Sequence, residues 1–335
     1  LKIESTMVQE KFKLSKYKTF SCLPLALLMS FSCAFAQNWP TKPVRLVVPF
    51  AAGGPADALA RFIGQKMSSE LGQSILIDNK AGAGGVLGAM DVIQSSDGHS
   101  ILFASTGAMV IVPATSVNPN YKPDRDLVAI GQAVNTPSVA VVSSKSRFNQ
   151  LSEMVSFAKS NPGKLNYASA GSGTSTQLGT ELLKRDAGIY ITHIPYRGAA
   201  PAITDLIAGT VDLMFADAPA VISFIHSGQL KALALADSER SAALPQVPTT
   251  AEAGYKTVIS GTWYGLMAPV KTPADVITKV NAALNKALQH PETMSYFKSQ
   301  GVQAAPGSPQ EFTKFIGAES AKWGALIKSA NIKTE

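Results

Sequence analysis

Apolar residues along this chain come mostly in short aliphatic runs, and between the runs they recur at helical spacing. The first run, Val44-Arg45-Leu46-Val47-Val48, has the length and branched content of a buried strand. After it, Leu59, Phe62, Ile63 and Met67 fall at i, i+3, i+4 and i+8, on one face of a helix. Between the two lie Gly53, Gly54 and Pro55, and proline is favoured at a first helical position because its missing N–H would find no partner there. A strand, a glycine turn and a helix start bring free backbone N–H groups and the positive end of a helix dipole to one point, which is a seat for an anion. The spacing is neither the phosphate loop, which needs Lys and Ser/Thr after its last glycine, nor Gly-x-Gly-x-x-Gly. An ordinary strand-to-helix turn therefore stays open beside the anion seat.

The alternation continues. Residues 75–79 read as a strand, 80–85 as a second glycine-rich turn and 86–94 as a helix, followed by a strand over 100–105 that ends in Ser105-Thr106-Gly107. Residues 121–126 read as polar and irregular, and 127–133 as a strand leaving the first domain. A second series has strands over 138–144, 165–169, 191–196, 211–216 and 230–236, with helices over 151–160, up to Asp186, and through Ile203, Leu206 and Ile207. Its turn Ala170-Gly171-Ser172-Gly173-Thr174-Ser175-Thr176-Gln177 is the hydroxyl-rich counterpart of the first glycine turn, and Arg197-Gly198 and Asp217-Ala218-Pro219 read as two further turns. Residues 237–258 form a long polar connection and 260–269 an aromatic strand with Trp263 and Tyr264. Thr272-Pro273-Ala274-Asp275 and Ser308-Pro309-Gln310-Glu311 both have the pattern of a capping box opening a helix.

Those last helices have no strands of their own to cover, so they are expected to pack back on the first domain. The fold class expected is α/β, two-lobed, with a discontinuous first domain of residues 37–134 and 237–335, a second domain of 135–236, and a hinge where the chain crosses near 134 and 237. Ligands in such sheets lie just beyond the carboxyl ends of the strands, here in the cleft between the domains.

The first 36 residues change the reading of composition. Lys2, Lys11, Lys13, Lys16 and Lys18 precede an apolar run over 20–35 that ends in Ala34-Phe35-Ala36, the pattern of a secretory signal cut after Ala36. Lipidation at Cys33 and a start at Met7 rather than Leu1 stay open. The run is shorter than the roughly 20 residues of a membrane-spanning helix. Removing this segment takes away both cysteines, Cys22 and Cys33, with five lysines and two glutamates, which lowers the net charge from +7 to +4. A periplasmic protein without disulfide, thiol nucleophile or thiolate metal site is expected. With no Lys/Arg run, nucleic acid is not an expected partner.

Catalysis finds little support. The nearest approach to a nucleophile elbow, Gly171-Ser172-Gly173, lacks the Gly-x-Ser-x-Gly pattern. His99, His193, His226 and His290 are scattered without zinc spacing. No catalytic residue, metal ligand or cofactor is assigned.

Five segments together resemble a known family: Pro40-Thr41-Lys42-Pro43-Val44-Arg45-Leu46-Val47-Val48-Pro49-Phe50-Ala51-Ala52-Gly53-Gly54, Asn79-Lys80-Ala81-Gly82-Ala83-Gly84-Gly85, Gly171-Ser172-Gly173-Thr174, Pro195-Tyr196-Arg197-Gly198, and 244–254 with its Leu-Pro and Ala-Glu-Ala-Gly. In this order and spacing they are similar to the Bug receptors, the extracytoplasmic solute-binding proteins of tripartite tricarboxylate transporters. Lys80, where arginine is common, and Pro55-Ala56 depart from the usual pattern. The resemblance implies a Venus-flytrap fold that closes on a small carboxylate or related solute such as an amide, held by backbone N–H groups, small hydroxyls and water. It implies membrane permease subunits as partners and a monomeric receptor. Carried onto this chain it points to Phe50, Ala52, Gly53 and Asp57 on the first turn and to Ser105 and Thr106 on the third. From the second domain it points to Ser172, Thr174 and Gln177, with Tyr196, Arg197 and Asp217 on the later loops. A receptor that signals to a sensor protein would use the same pocket, and a periplasmic hydrolase is the alternative of a different class.

Each candidate has a plainer reading. Asp57 in the first helical turn complements the dipole or meets the ligand, and facing the ligand it would favour an amino or amide group over a second carboxylate. Ser172 and Thr174 could cap their helix, Arg197 could be a solvated charge, Asp217 could shape a turn, and Trp263 and Tyr264 could belong to hinge or core.

Overall fold

A computed structural model describes residues 39–115 and 121–330. The signal-peptide reading falls on residues outside these.

The first half of the fold begins as expected. Strand β1 (Val44–Val48) leads through the glycine turn to α1 (Pro55–Leu71), β2 (Ile75–Asn79), α2 (Val86–Ile93) and β3 (Ser100–Ser105), with β1 parallel to both β2 and β3. A π-helical turn over Gly107–Ile111 then runs into α3 (Val112–Thr115), which the sequence reading did not anticipate. Residues 121–126 also differ from the expected irregular stretch. Tyr121 is buried, and Pro123–Asp126 forms a helical turn, α4.

The two strands expected over 127–133 and 138–144 are one 17-residue strand, β4 (Leu127–Ser143). Pro137 marks a handover rather than a break. Up to Pro137 the strand pairs antiparallel with β9 (Gly261–Pro269), and from Ser138 it pairs antiparallel with β7 (Leu213–Asp217) and, from Val139, with β8 (Leu230–Leu235). The second half adds α5 (Leu151–Ser160), β5 (Asn166–Ser169), α6 (Ser175–Ala187), β6 (Thr192–Pro195) and α7 (Ala199–Ala208), with β5 parallel to β6 and β7. The residues after Asp217 are not a turn but α8 (Ala218–His226). Pro219 sits in its first turn, where proline is tolerated, and Val221 and Ile222 face the core.

All eight principal strands lie in one path, β2-β1-β3-β9-β4-β7-β5-β6. Where the halves meet, three backbone hydrogen bonds stitch Ser138, Ala236 and Ser260 together at 2.8–2.9 Å. The polar connection 237–258 has no helix or strand, yet it is anchored. Leu244 and Val247 are buried against the second half, and residues 248 and 250 bond the backbone of Leu235 on β8.

The C-terminal part comprises α9 (Ala274–Gln289), α10 (Pro291–Ser299), the short β10 (Gln303–Ala304) and α11 (Pro309–Ala330). Helix α9 packs on α1, sharing the core of Leu59, Ile63, Val280 and Leu284. Its expected capping box is absent, because the N-cap is Pro273, whose side chain has nothing to accept with. The second box forms: the Ser308 hydroxyl accepts from the Glu311 N–H at 3.2 Å and the Glu311 carboxylate from the Ser308 N–H at 2.7 Å. Helix α11 does more than cover the first half. At about 1.5 Å per residue its 22 residues carry Trp323, Leu326 and Ile327 on to Leu178 and Leu182 of α6.

One glycine on β9 is required by packing. A Cβ at Gly265 would overlap the Phe312 ring and come within 2.9 Å of the Gly131 carbonyl oxygen. Overpacking of this kind costs about 1–3 kcal/mol, so Gly265→Ala is expected to lower the thermal midpoint by several degrees. A midpoint equal to wild type would show that Phe312 yields without cost.

Candidate ligand-binding site

The glycine turn after β1 is held by side chains that follow it. Gly53 takes a φ of 81°, and its N–H donates to Asp57 Oδ2 at 3.0 Å. The same oxygen accepts from Arg61 Nε at 2.9 Å, while Oδ1 accepts from Asn79 Nδ2 at 3.0 Å, and Asn79 Nδ2 also donates to the Phe50 carbonyl. Burial pushes the Asp57 carboxyl up, but the bonds from Arg61, Gly53 and Asn79 outweigh it and hold the group below its ordinary value. Asp57 is therefore an ionised clamp on its own turn. Helix α1 begins at Pro55 with Gly54 as N-cap and no side-chain cap. The free N–H groups of a helix start thus keep their capacity for an outside partner.

The second half repeats the device at the same helical positions. Gly173 has a φ of 76°, and its N–H donates to Gln177 Oε1 at 2.8 Å, again one residue before the N-cap to the third helical residue. The N-cap of α6, Thr174, provides no side-chain cap. Its hydroxyl donates instead to the Gly171 carbonyl at 2.6 Å, and Thr176 Oγ1 accepts from the Ala170 N–H at 2.9 Å. The hydroxyls stitch the turn and leave the helix end open. A third open start follows β6, where Gly198 (φ 115°) precedes α7, again without a side-chain cap.

These three helix starts line one cleft with about 700 Å³ of empty space, part of it open to solvent. The segments that follow β1, β3, β5 and β6 and the last residue of β7 reach it, in keeping with the strand-end rule. Most of the wall is apolar, from Phe50 and Ala51 through Pro55 and Ala56 to Ala199 and Pro201. The polar groups gather at the floor. Asp217, 6 % exposed, accepts from the Thr262 hydroxyl at 2.7 Å and from Tyr264 Oη at 3.2 Å, and Ser175 bonds Thr262 in turn. Burial, with no cation to offset it, raises the Asp217 carboxyl to about 6 despite those two hydroxyl bonds. Among the described residues the Ser105 hydroxyl, fully buried, has no hydrogen-bond partner.

Of the residues singled out from the sequence, Phe50, Ala52, Ser105, Thr174, Arg197 and Asp217 line the cleft. The other six do not line it. Asp57 and Gln177 clamp the glycine N–H groups, and Gly53 is the clamped residue of the first turn. Thr106 Oγ1 accepts from the Trp263 N–H, Tyr196 Oη donates to Asp205, and Ser172 is exposed beside the loop at Gly84. Tyr264, read from the sequence as hinge or core ahead of pocket, and Thr262, which was not singled out, line the floor. Their only signal in the sequence was a strand with two aromatic residues, which fits a core equally well; Trp263 does take the core role, edge-on to Phe312 at 5.4 Å. Among the described residues no group of His, Cys, Asp or Glu could hold a metal ion.

Two α/β halves joined by crossing strands, with a cleft built at their strand ends, make this a two-lobed periplasmic-binding-protein fold. The match is borne by solved relatives: R. palustris Rpa4515 with adipate (TM-score 0.85, 31% identity, 88% of this chain and 99% of that one) and MatC (Rpa3494) from Rhodopseudomonas palustris with bound malate (TM-score 0.81, 32% identity, 86% and 99%). Among curated proteins, BugT of Bordetella pertussis is 34% identical over 301 residues, covering 89% of this chain and 92% of its own. The tripartite tricarboxylate transporter family receptor model, TctC, matches residues 59–332, and the chain belongs to that family. Its relatives are solute-binding receptors rather than enzymes, and among the described residues no helix is long and apolar enough to cross a membrane.

Proposed function

We propose that the chain works in the periplasm as a monomeric receptor that traps a small carboxylate between its lobes and delivers it to the permease subunits of a tripartite tricarboxylate-type transporter. The observation that carries this reading is the convergence of three uncapped helix starts, one from the first half and two from the second, on a single cleft. In this reading the ligand carboxylate sits among the main-chain donors near Gly54–Ala56, Thr174–Thr176 and Gly198–Ala200, and Arg197 meets a distal group at the mouth. The adipate and malate carried by the two relatives support a carboxylate as the ligand class.

The energetics suffice without an arginine clamp. A helix start offers an anion about 0.3–1 kcal/mol, and up to about 2 when partly buried. A charge-assisted hydrogen bond adds about 1.5–3 kcal/mol. Four or five such contacts offer about 6–15 kcal/mol against the cost of association, a range that includes the roughly 8 kcal/mol net of a micromolar dissociation constant. Neither lobe alone completes the shell, so the ligand favours the closed arrangement. The hinge in this proposal is the stitched crossing at Ser138, Ala236 and Ser260, with the two domains on either side of it.

The test is thermal melting of the purified protein against a panel of mono- and dicarboxylates and their amides. Ligand at about 100 times its dissociation constant should stabilise by about 2.7 kcal/mol, several degrees of midpoint. A panel that leaves the midpoint unmoved would remove the carboxylate reading.

A further inference from the structure

The floor of the cleft carries a group that a receptor for simple dicarboxylates does not need. Asp217 lines the cavity, its two oxygens accept from Thr262 and Tyr264, and no ion pair reaches it among the described residues. The hydroxyl chain has one polarity when Asp217 is ionised: Ser175 donates to Thr262, and Thr262 spends its proton on the carboxylate. Two acceptor positions of the carboxylate remain, since an ionised carboxyl offers about four. Lining the same cavity, the Ser105 hydroxyl is buried and, among the described residues, unpartnered. A carboxylate acceptor with spare capacity at the end of an apolar cleft calls for a ligand group that donates, and the idle Ser105 hydroxyl, able to donate or accept, can pair with that group's other atoms.

We propose that Asp217 sets the ligand class, selecting an acid whose second polar group is a hydrogen-bond donor, such as an amide or ammonium nitrogen or a hydroxyl, and rejecting a second carboxylate at that end. The proposal rests on the carboxylate-receptor reading above and narrows it. Two carboxylates sharing one site cannot both stay ionised cheaply, so a diacid would enter with its far end against Asp217 only by taking up a proton. The groups that face Asp217 are Tyr264 and Thr262 from β9 and Ser175 from α6, and Arg197 on the loop before α7 is the cation lining the same cleft. The hydroxyls are neutral across the working range; burial and the neighbouring Asp217 push the Tyr264 hydroxyl well above its ordinary value. The titration of the floor is therefore that of Asp217, with the carboxyl charged at pH 7.5 and largely neutral at pH 5.

The experiment is calorimetric titration of wild type and Asp217→Asn with succinate, glutarate and adipate and with the half-amide of each, at pH 7.5 and pH 5. For wild type at pH 7.5 at least one half-amide should bind tenfold or more tightly than its diacid, and the gap should close at pH 5. In Asp217→Asn, which keeps the shape and offers an N–H, the preference should vanish or invert at both pH values, leaving only the pH dependence of the acids' own second ionisation. A merely structural role would weaken all the acids together and leave their order and pH profile in place, and that result would overturn the proposal. Wild type that binds diacids as tightly as half-amides at pH 7.5 would overturn it too while sparing the carboxylate reading. If no acid of either kind binds, the carboxylate reading fails and this inference with it.

Discussion

Gly54→Asp is expected to abolish ligand binding while leaving the fold as stable as before or more so. Gly54 is the N-cap of α1, with φ −82° and ψ 172°, an extended conformation open to any side chain. A Cβ there would meet nothing closer than the Ala51 carbonyl oxygen at 3.4 Å, an ordinary contact. Aspartate is among the favoured N-caps, and its carboxylate would accept from the second or third helical N–H. The new side chain would do for α1 what the ligand is proposed to do, and place a fixed negative charge where the ligand's charge must sit. Affinity should fall at least about 100-fold, roughly 2.8 kcal/mol, as read by calorimetry. The thermal midpoint without ligand should hold or rise. Wild-type affinity in the variant would take the first helix start out of the site.

Asp217→Asn should raise the stability of the ligand-free protein at neutral pH and leave it unchanged in acid. The carboxyl titrates at about 6 in the fold against an ordinary 3.8, so the folded state holds a proton that the unfolded chain has released between those two values. Unfolding free energy therefore falls as pH rises through that window, and the penalty is complete above about pH 6. A rise from 3.8 to about 6 corresponds to about 3 kcal/mol, which the neutral asparagine avoids. Melting of both proteins from pH 4 to pH 8 should show curves that coincide at the acid end and separate toward neutrality. Parallel curves would mean that the buried carboxyl is solvated in a way that removes the cost.

Much of the framework was legible in the sequence. The strand over 44–48, the turn at Gly53-Gly54 and the helix from Pro55 come from local chemistry: branched residues in a short run, glycines where φ turns positive, and a proline where an N–H is not needed. The hydroxyl-rich turn before α6 and the box at Ser308 and Glu311 were readable in the same way, because each device lies within four residues of the backbone it serves. What failed was mostly a matter of competition. Asp217-Ala218-Pro219 suits a turn and a helix start alike, and only the burial of Val221 and Ile222 behind it selects the helix.

The sequence by itself determined most of the alternation of strands and helices, the glycine-led turns before the helices and the family, since all of these are written in short segments; that the helix starts carry no side-chain cap was seen only in the fold. The tertiary structure alone decided which polar groups face the cleft. Asp57 and Gln177 have the chemistry of ligand contacts, but each finds a glycine N–H of its own turn nearer to hand. Thr262 and Tyr264 become floor residues because β9 pairs with β4 and β3, which brings them 45 and 47 residues back along the chain to Asp217. A side chain's partner is set by whichever group the fold brings within three ångströms, and for these residues that choice is made by pairings far apart in sequence, which no local pattern encodes.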